Sequence, residues 1–442
     1  MAALNRPVGL EWRDRPRESP PRQATQLQHI LNIPATKQDV GSLRLIAGDA
    51  LQVADQLLAE GRAASFDLIH LDPPFGSEAD YARARQMDVA GKQIDVLLPA
   101  YGDTDRGDIA SYLDGLFPIF QRCHALLSPR GSFYLHLDFR RGPYVRLLLD
   151  EIFGVDNLLN EIIWAYGLGG SSATRFQRKH DVIYFYAKDL AKNWFVAPQE
   201  AATSSLLAGQ PKRATDLWQT PTAAPGGTIL RTWPDPLIER TLSNRDFERT
   251  GYPTQKPLSL AARIVQASLP PNGQVLDLMS GSGTIGIAAL HAGGHATLGD
   301  RGALALDVSR GRAHAIGAQI ALDAVNGALQ STELPAAPLR IEGNNAVLRA
   351  FTLPWPPPLL PIKPAVSGWL TDNHRLHGVD FLSAWGVFGR ATGNVLSALA
   401  WWDAAAQRKR EKVQTCLVFQ ADRVPEMWVG VDVFGRIWHT PI

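Results

Sequence analysis

Two stretches of the chain hold residue types at spacings suited to chemistry. The first is FDLIHLDPPFGSEADY, residues 66–81, where the apolar run Leu68–Leu71 stops at Asp72-Pro73-Pro74-Phe75. Proline cannot donate to a sheet ladder, so a strand has to end there. A strand end followed by a rigid turn accounts for the four residues taken alone. A carboxylate and an aromatic ring held stiffly at the tip of a buried strand are equally the beginnings of a site.

The second stretch is QVLDLMSGSGTIGIAAL, residues 274–290, where a strand ending near Asp277 runs into Gly281-Ser282-Gly283-Thr284 and a helix. Glycines there let the backbone approach a ligand, and the free N–H groups of the helix start face it. A tight turn with no ligand is the plain alternative. Gly286 completes a G-x-G-x-x-G pattern, so a dinucleotide site competes. Against it, Asp277 stands where it would repel a pyrophosphate, and no lysine closes the loop as in phosphate-gripping loops. An acid beside a glycine loop suits a cationic or zwitterionic nucleoside, of which S-adenosylmethionine is the commonest.

The elements that must position these residues alternate. A strand at Leu43–Ala47 is followed by a helix carrying Leu51, Val53, Leu57 and Leu58, then by the strand FDLIHL. Next come the helix IASYLDGLFPIFQRCHALL, the strand SFYLHLD, the helix YVRLLLDEIFG and the strand EIIWAY. Such alternation predicts an α/β fold with a doubly wound, mostly parallel sheet. Regularity lapses over residues 167–250, which hold one hairpin-like strand pair and a long loop-rich run, and resumes over 251–333. Residues 1–42, rich in Pro, Arg and Gln, read as a partly disordered arm. After the proline-rich LPWPPPLLPIKP, residues 334–442 read as a small β-containing module whose tryptophans are core.

Bulk composition narrows the classes. The 442 residues are 45% hydrophobic and 20% charged with a net charge of +1, so no global basic field points to nucleic acid. Any such surface must be local. Cys123 and Cys416 are the two cysteines, which excludes a disulfide framework or a cysteine-rich zinc site and fits a cytoplasmic protein. The N-terminus lacks the apolar stretch of a signal peptide, and no run of about 18 apolar residues spans a membrane.

Taken in order, GDAL, FDLIHLDPPF, GSFYLHLD, EIIWAY, HDVIYFYAKD, TGYPTQKPLSL and VLDLMSGSGT resemble the β-class DNA amino-methyltransferases. The likeness is greatest to the site-specific adenine-N6 enzymes, including the modification subunits of type III restriction systems, and it covers residues 43–322. The order is the specific part. The Asp-Pro-Pro-Phe half comes first, a target-recognition insert next and the cofactor-loop half last, a circularly permuted form of the S-adenosylmethionine-dependent methyltransferase fold.

The resemblance implies methyl transfer from S-adenosylmethionine to an extruded base, with no metal. Asp72 and the Pro73 carbonyl would accept N–H groups of the target amine, Pro74 would stiffen the turn, and Phe75 would stack on the base. Asp-Pro-Pro-aromatic implies N6 of adenine; N4 of cytosine is the alternative, and a non-catalytic DNA-binding specificity subunit is a third reading. Around the cofactor the resemblance places Asp277, Gly281, Gly283 and Thr284, with Thr254, Gln255, Lys256 and Pro257 closing over the same region. Lys256 also reads as an exposed lysine at a helix start. Asp49 would reach the adenine moiety or serve as a helix N-cap. For the ribose, family spacing points to Asp300, whereas the local pattern ALALDVSRGRAHAIGAQI favours Asp307, with strand, acid, N-cap Ser309 and helix in turn.

The sequence also departs from the family. Met279 stands where an aromatic ring is usual, which puts cofactor affinity in question. In the 167–250 insert, Arg175, Arg178, Lys179, Lys212, Arg213, Arg231, Arg245 and Arg249 lie among Trp194, Trp218 and Trp233 and read as the double-stranded DNA contact. A solvated surface is the bland alternative. A restriction-endonuclease subunit and a homodimer are the partners the resemblance suggests, and a stand-alone enzyme fits equally.

Overall fold

The fold is that of a computed structural model, which describes residues 10–12, 15, 19–20, 27–76, 79–89, 92–103, 108–165, 172–201, 211–219, 222–223, 229–230, 242, 246–325, 327–329, 331–334, 337–349, 360–361, 382–390, 396–403, 413–420, 423–432 and 436–442. The strands used below are β1 (Leu27–Ile33), β2 (Ser42–Ala47), β3 (Phe66–Leu71), β4 (Ala79–Val89), β5 (Lys92–Asp103), β6 (Leu127–Asp138), β7 (Leu158–Ala165), β8 (His180–Ala187), β9 (Leu217–Gln219), β10 (Gln274–Asp277), β11 (His295–Asp300) and β12 (Gln319–Val325). The helices are α1 (Ala50–Ala59), α2 (Ile109–Leu126), α3 (Gly142–Phe153), α4 (Leu258–Ser268), α5 (Thr284–His291) and α6 (Ala303–Ala315).

One ten-stranded sheet, in the order β1-β12-β2-β11-β10-β3-β6-β8-β7-β9, organises the molecule. The block from β12 to β6 is parallel throughout, while β1 at one edge and β8 near the other run against their neighbours. Both faces are covered, and the alternation of strand side chains shows how. Leu45, Leu68, Tyr134 and Val275 enter a core with α4, α5 and part of α6. Their neighbours Ile46, Ile69, Leu135 and Leu276 enter a second core with α1, α2 and α3. A sheet buried on both sides needs continuous apolar runs, which is why FDLIHL is buried at every position.

Three findings differ from the sequence expectations. Residues 27–33, assigned to the arm, form the edge strand β1, because Leu31 and Ile33 point inward against β12. Residues 79–103 form a long β4–β5 hairpin that no sequence signal singled out. ALALD, expected as a strand ending at Asp307, lies inside α6, and the strand is the preceding segment His295–Asp300.

A separate five-stranded sheet contains β13 (Ser331–Glu333), β14 (Leu382–Arg390), β15 (Leu396–Asp403), β16 (Met427–Asp432) and β17 (Ile437–Pro441), in the order β13-β17-β16-β14-β15. A third core between this sheet and α6 takes in Trp385, Trp428 and Trp438 with Leu304, Ala305 and Val308. Arg310 of α6 crosses the junction, wholly buried, at 2.7 Å from both Asp307 and Asp403. Among the described residues no helix is long and apolar enough to cross a membrane.

Candidate active site

The parallel block brings the chemistry-bearing residues to one edge. Four neighbouring strands, β2, β11, β10 and β3, point the same way, and at or just past the C-terminal end of each stands an acid: Asp49, Asp300, Asp277 and Asp72. The carboxyl edge of such a sheet is where open α/β folds hold ligands. A cavity of about 550 Å³ opens there, lined by all four acids, and that volume suits a nucleoside-sized ligand with room for a second group.

Asp72 lies half-buried on one wall, with Lys256 Nζ 2.5 Å from its Oδ2. The same ammonium stands 5.3 Å from the centroid of the Phe75 ring. The turn is braced from several sides. Pro74 O accepts the Tyr112 hydroxyl at 3.0 Å, and Gly76 N, in the left-handed region at φ 68°, donates to Asp103 Oδ1 of β5 at 2.7 Å. Behind Phe75 lies His136, with ring centroids 6.1 Å apart and an interplanar angle of 24°. His136 is wholly buried, and its Nε2 is 3.0 Å from Asp181 Oδ2. Burial, aided by the Lys256 charge, lowers its pKa and favours the neutral ring.

The opposite wall is the glycine loop. Met279 N donates to Asp277 Oδ1 at 2.9 Å, Gly281 N to Asp300 Oδ2 at 2.9 Å and Gly302 N to Asp300 Oδ1 at 2.7 Å. Gly283 has φ 73°, and a Cβ there would stand 2.5 Å from Ser309 Oγ, so both conformation and space demand glycine. Gly286 faces Leu298 of β11, which explains it by helix-to-strand packing. Arg312 of α6, buried, donates Nη1 to Ser282 O at 2.8 Å and to Thr284 Oγ1 at 2.9 Å, locking the loop from behind. Desolvation pushes the Asp300 carboxyl up to about 6, against the two backbone N–H groups that favour its charged form. Among the described residues no lysine or arginine forms an ion pair with Asp277 or Asp300.

The third wall joins the hairpin to the segment before α4. Tyr81 stacks on Tyr101 at 4.8 Å, and Tyr101 on Tyr252 at 6.4 Å. Tyr101 Oη is 2.8 Å from Thr254 Oγ1, and Thr254 has a left-handed φ of 55°. Gln255 folds its own loop, accepting from Thr250 N at 2.9 Å and donating to Glu248 O at 2.7 Å.

Most of the expected residues therefore converge. Asp49, Asp72, Pro73, Pro74, Phe75, Thr254, Gln255, Lys256, Asp277, Gly281, Thr284 and Asp300 all line the cavity. Asp49 is also the N-cap of α1, accepting from Leu51 N at 3.0 Å, so both of its expected places are compatible. Lys256 is no exposed helix-start lysine. Pro257 caps α4 and Gly283 sits behind the loop, neither touching the cavity. Asp307 is a correction: it is buried in α6 against Arg310 and Ser383, away from the cavity, because α6 and not a strand occupies 303–315.

Of the basic set, Arg175, Arg178 and Arg213 are exposed, Lys179 is half-buried, and Arg178 stands over the Phe139 ring at 4.2 Å. Arg249 is half-buried and donates to Leu242 O at 2.9 Å. The Lys212 side chain, Arg231, Arg245 and Trp233 lie outside the described residues. Trp218 is buried in the core under Arg263 and offers no face to a ligand. Sequence reasoning missed Tyr81, Tyr101, Tyr252, Asp103, His136 and Arg312. Tyr252, next to the PTQKP segment, had the nearest thing to a signal.

Comparison with known proteins gives a consistent picture. A family profile described as DNA methylase matches residues 66–330. The chain is 28% identical over 256 residues to the DNA adenine methyltransferase YhdJ of Escherichia coli strain K12, covering 56% of this chain and 75% of that protein. It is 23% identical over 273 residues to the type II methyltransferase M.ScaI of Streptomyces caespitosus, covering 58% and 76%. It is 25% identical over 157 residues to the Mod subunit of the type III restriction-modification enzyme EcoPI of Escherichia phage P1, covering 33% and 24%.

Proposed function

Because the chain belongs to the DNA methylase family, we propose that it transfers a methyl group from S-adenosylmethionine to N6 of adenine at a specific site in double-stranded DNA. The observation that carries this reading is the convergence of Asp72-Pro73-Pro74-Phe75 and the Asp277–Thr284 loop on one cavity.

The glycine-loop wall fits the cofactor by its donor set. It holds the carboxylates of Asp277, with His70 Nδ1 at 3.6 Å, and Asp300, with no lysine or arginine ion-paired to either among the described residues, and a buried Ser280 hydroxyl that lacks a partner. A ligand carrying positive charge and ribose hydroxyl donors satisfies all three. We assign the ribose to Asp300, at the tip of β11, while Asp277 lies nearer the Asp72 strand. Bound there by Asp277 and Asp300, the cofactor would supply an electrophilic methyl on a sulfonium centre, with the sulfur, keeping the C–S electron pair, as leaving group.

The other wall prepares the nucleophile. An exocyclic base amine is a weak nucleophile because its lone pair is spread into the ring. Asp72 and the Pro73 carbonyl accept its N–H groups and turn the lone pair out of the ring plane. Phe75, backed by His136, gives the extruded base a stacking surface. As the new N–C bond forms, the nitrogen sheds one proton, for which Asp72 is the nearest base.

DNA contact is assigned to Arg175, Arg178, Lys179, Lys212, Arg213, Arg231, Arg245 and Arg249 of the 167–250 insert, lying between the two halves of a permuted methyltransferase domain. Arg175 and Arg178 occupy the β7–β8 connection, at the same sheet edge as Asp72. The similarity to a type III Mod subunit motivates a search for a restriction partner. The test is incubation of the protein with unmethylated DNA and labelled cofactor, followed by mass spectrometry of the digested product. N6-methyladenine is expected. N4-methylcytosine would move the assignment to the other base, and an unmodified product would overturn it.

A further inference from the structure

Lys256 stands against both residues to which the reading above gives the target base. Its ammonium is 2.5 Å from Asp72 Oδ2 and 5.3 Å from the Phe75 ring centroid. A base laid on Phe75 and donating an N–H to Asp72 meets the same carboxylate, whose Oδ2 the ammonium occupies, and the same ring. The two side chains are 16% and 20% exposed, so the pair is not one that solvent screening makes negligible. Resting on the reading above, we propose that Lys256 is an internal stand-in for the target amine, holding Asp72 in the absence of DNA and withdrawing before the base is seated.

Charge argues that the pair does not persist through the reaction. Methyl transfer moves positive charge from the sulfonium to the attacking nitrogen. A carboxylate facing that nitrogen favours the change, and an ammonium on the same carboxylate opposes it. A lysine kept on Asp72 would cancel what the acid supplies.

The mounting of Lys256 lets it leave. Its backbone is fixed: its carbonyl accepts from Thr284 Oγ1 at 3.3 Å, Pro257 caps α4 on one side, and Thr254 is tied to Tyr101 on the other. The side chain is a flexible stem of four carbons. Withdrawal therefore needs rotation of one side chain and no movement of the loop.

The inference is tested by the affinity of the cofactor-free protein for two duplexes of the mapped methylation site. They are identical except that the target base has or lacks its exocyclic amine, with an abasic site opposite to ease extrusion. The ratio of the two affinities isolates the amine contact, since phosphate contacts cancel. In Lys256→Met, which keeps length and removes charge, the preference for the amine-bearing duplex should rise about tenfold over wild type, as expected for freeing a charged acceptor. Lys256→Gln repeats the measurement if the Met variant melts early. A ratio that is unchanged or falls overturns the inference and makes Lys256 a permanent orienting partner of Asp72. Wild-type protein that methylates no DNA overturns the preceding reading instead. Methylation with an unmoved ratio overturns this one alone.

Discussion

The two walls of the cavity treat negative charge in opposite ways. On the first, Asp72 has its counter-ion built in, Lys256 at 2.5 Å. On the second, Asp277 and Asp300 have no lysine or arginine paired to them among the described residues, and Asp300 leans on two backbone N–H groups. The first wall meets a neutral amine with a carboxylate that already has a partner on Oδ2. The second holds acids that no lysine or arginine side chain ion-pairs among the described residues, so a cationic ligand adds a partner that the wall does not already contain. An enzyme that joins a cationic methyl donor to a neutral amine needs this asymmetry.

The largest expected effect lies on the first wall. Asp72→Ala should lower methyl transfer by about 100- to 1000-fold, as for loss of one oriented polar group at a reacting centre. Cofactor affinity by calorimetry should stay near wild type, and joint loss of both would erase the distinction between the walls. On the second wall, Asp300→Asn should weaken cofactor binding by about 10- to 100-fold, the worth of a charged hydrogen-bond acceptor. DNA affinity by anisotropy should be unaltered.

A smaller effect follows from pH. The Asp300 carboxyl, at about 6 in the free protein, lies above its unfolded value, so its contribution to stability is full at low pH and is lost as pH rises through 6. A cationic ligand prefers the carboxylate. Cofactor affinity should therefore fall as pH drops below 6, by about tenfold at pH 5 relative to pH 7, with proton release on binding. The Asn variant should lose this dependence. Calorimetry in buffers of different ionisation enthalpy reads both, and a flat profile in wild type would assign the acid elsewhere.

How much of this was legible in the sequence depends on how each residue is positioned. Asp72 and Asp277 were legible because strand ends are written locally, by proline in one case and glycines in the other. Asp307 was misread for a physical reason. Residues 304–313 of α6 are all buried, since one side of the helix meets the large sheet and the other meets the C-terminal sheet. A helix buried all round loses the 3.6-residue pattern, and ALALD alternates like a strand. The β4–β5 hairpin was silent because Tyr81-Ala82-Arg83-Ala84-Arg85 has neither β-branched residues nor a clear apolar face. Arg83 is nonetheless fully buried, donating Nε to Thr250 O at 3.1 Å. Its burial depends on a loop some 167 residues away.

The sequence by itself determined the parts whose causes are local: the alternating elements, the stiff Asp-Pro-Pro-Phe tip, the glycine loop and the order in which they come. Tertiary structure decided which acids share a cavity, because strand order and register bring Asp49, Asp300, Asp277 and Asp72 together from positions far apart in the chain. It also decided what each acid meets. Lys256 on Asp72, Arg312 behind the glycine loop and Arg310 on Asp403 are through-space pairings between distant segments, and residue spacing holds no record of them.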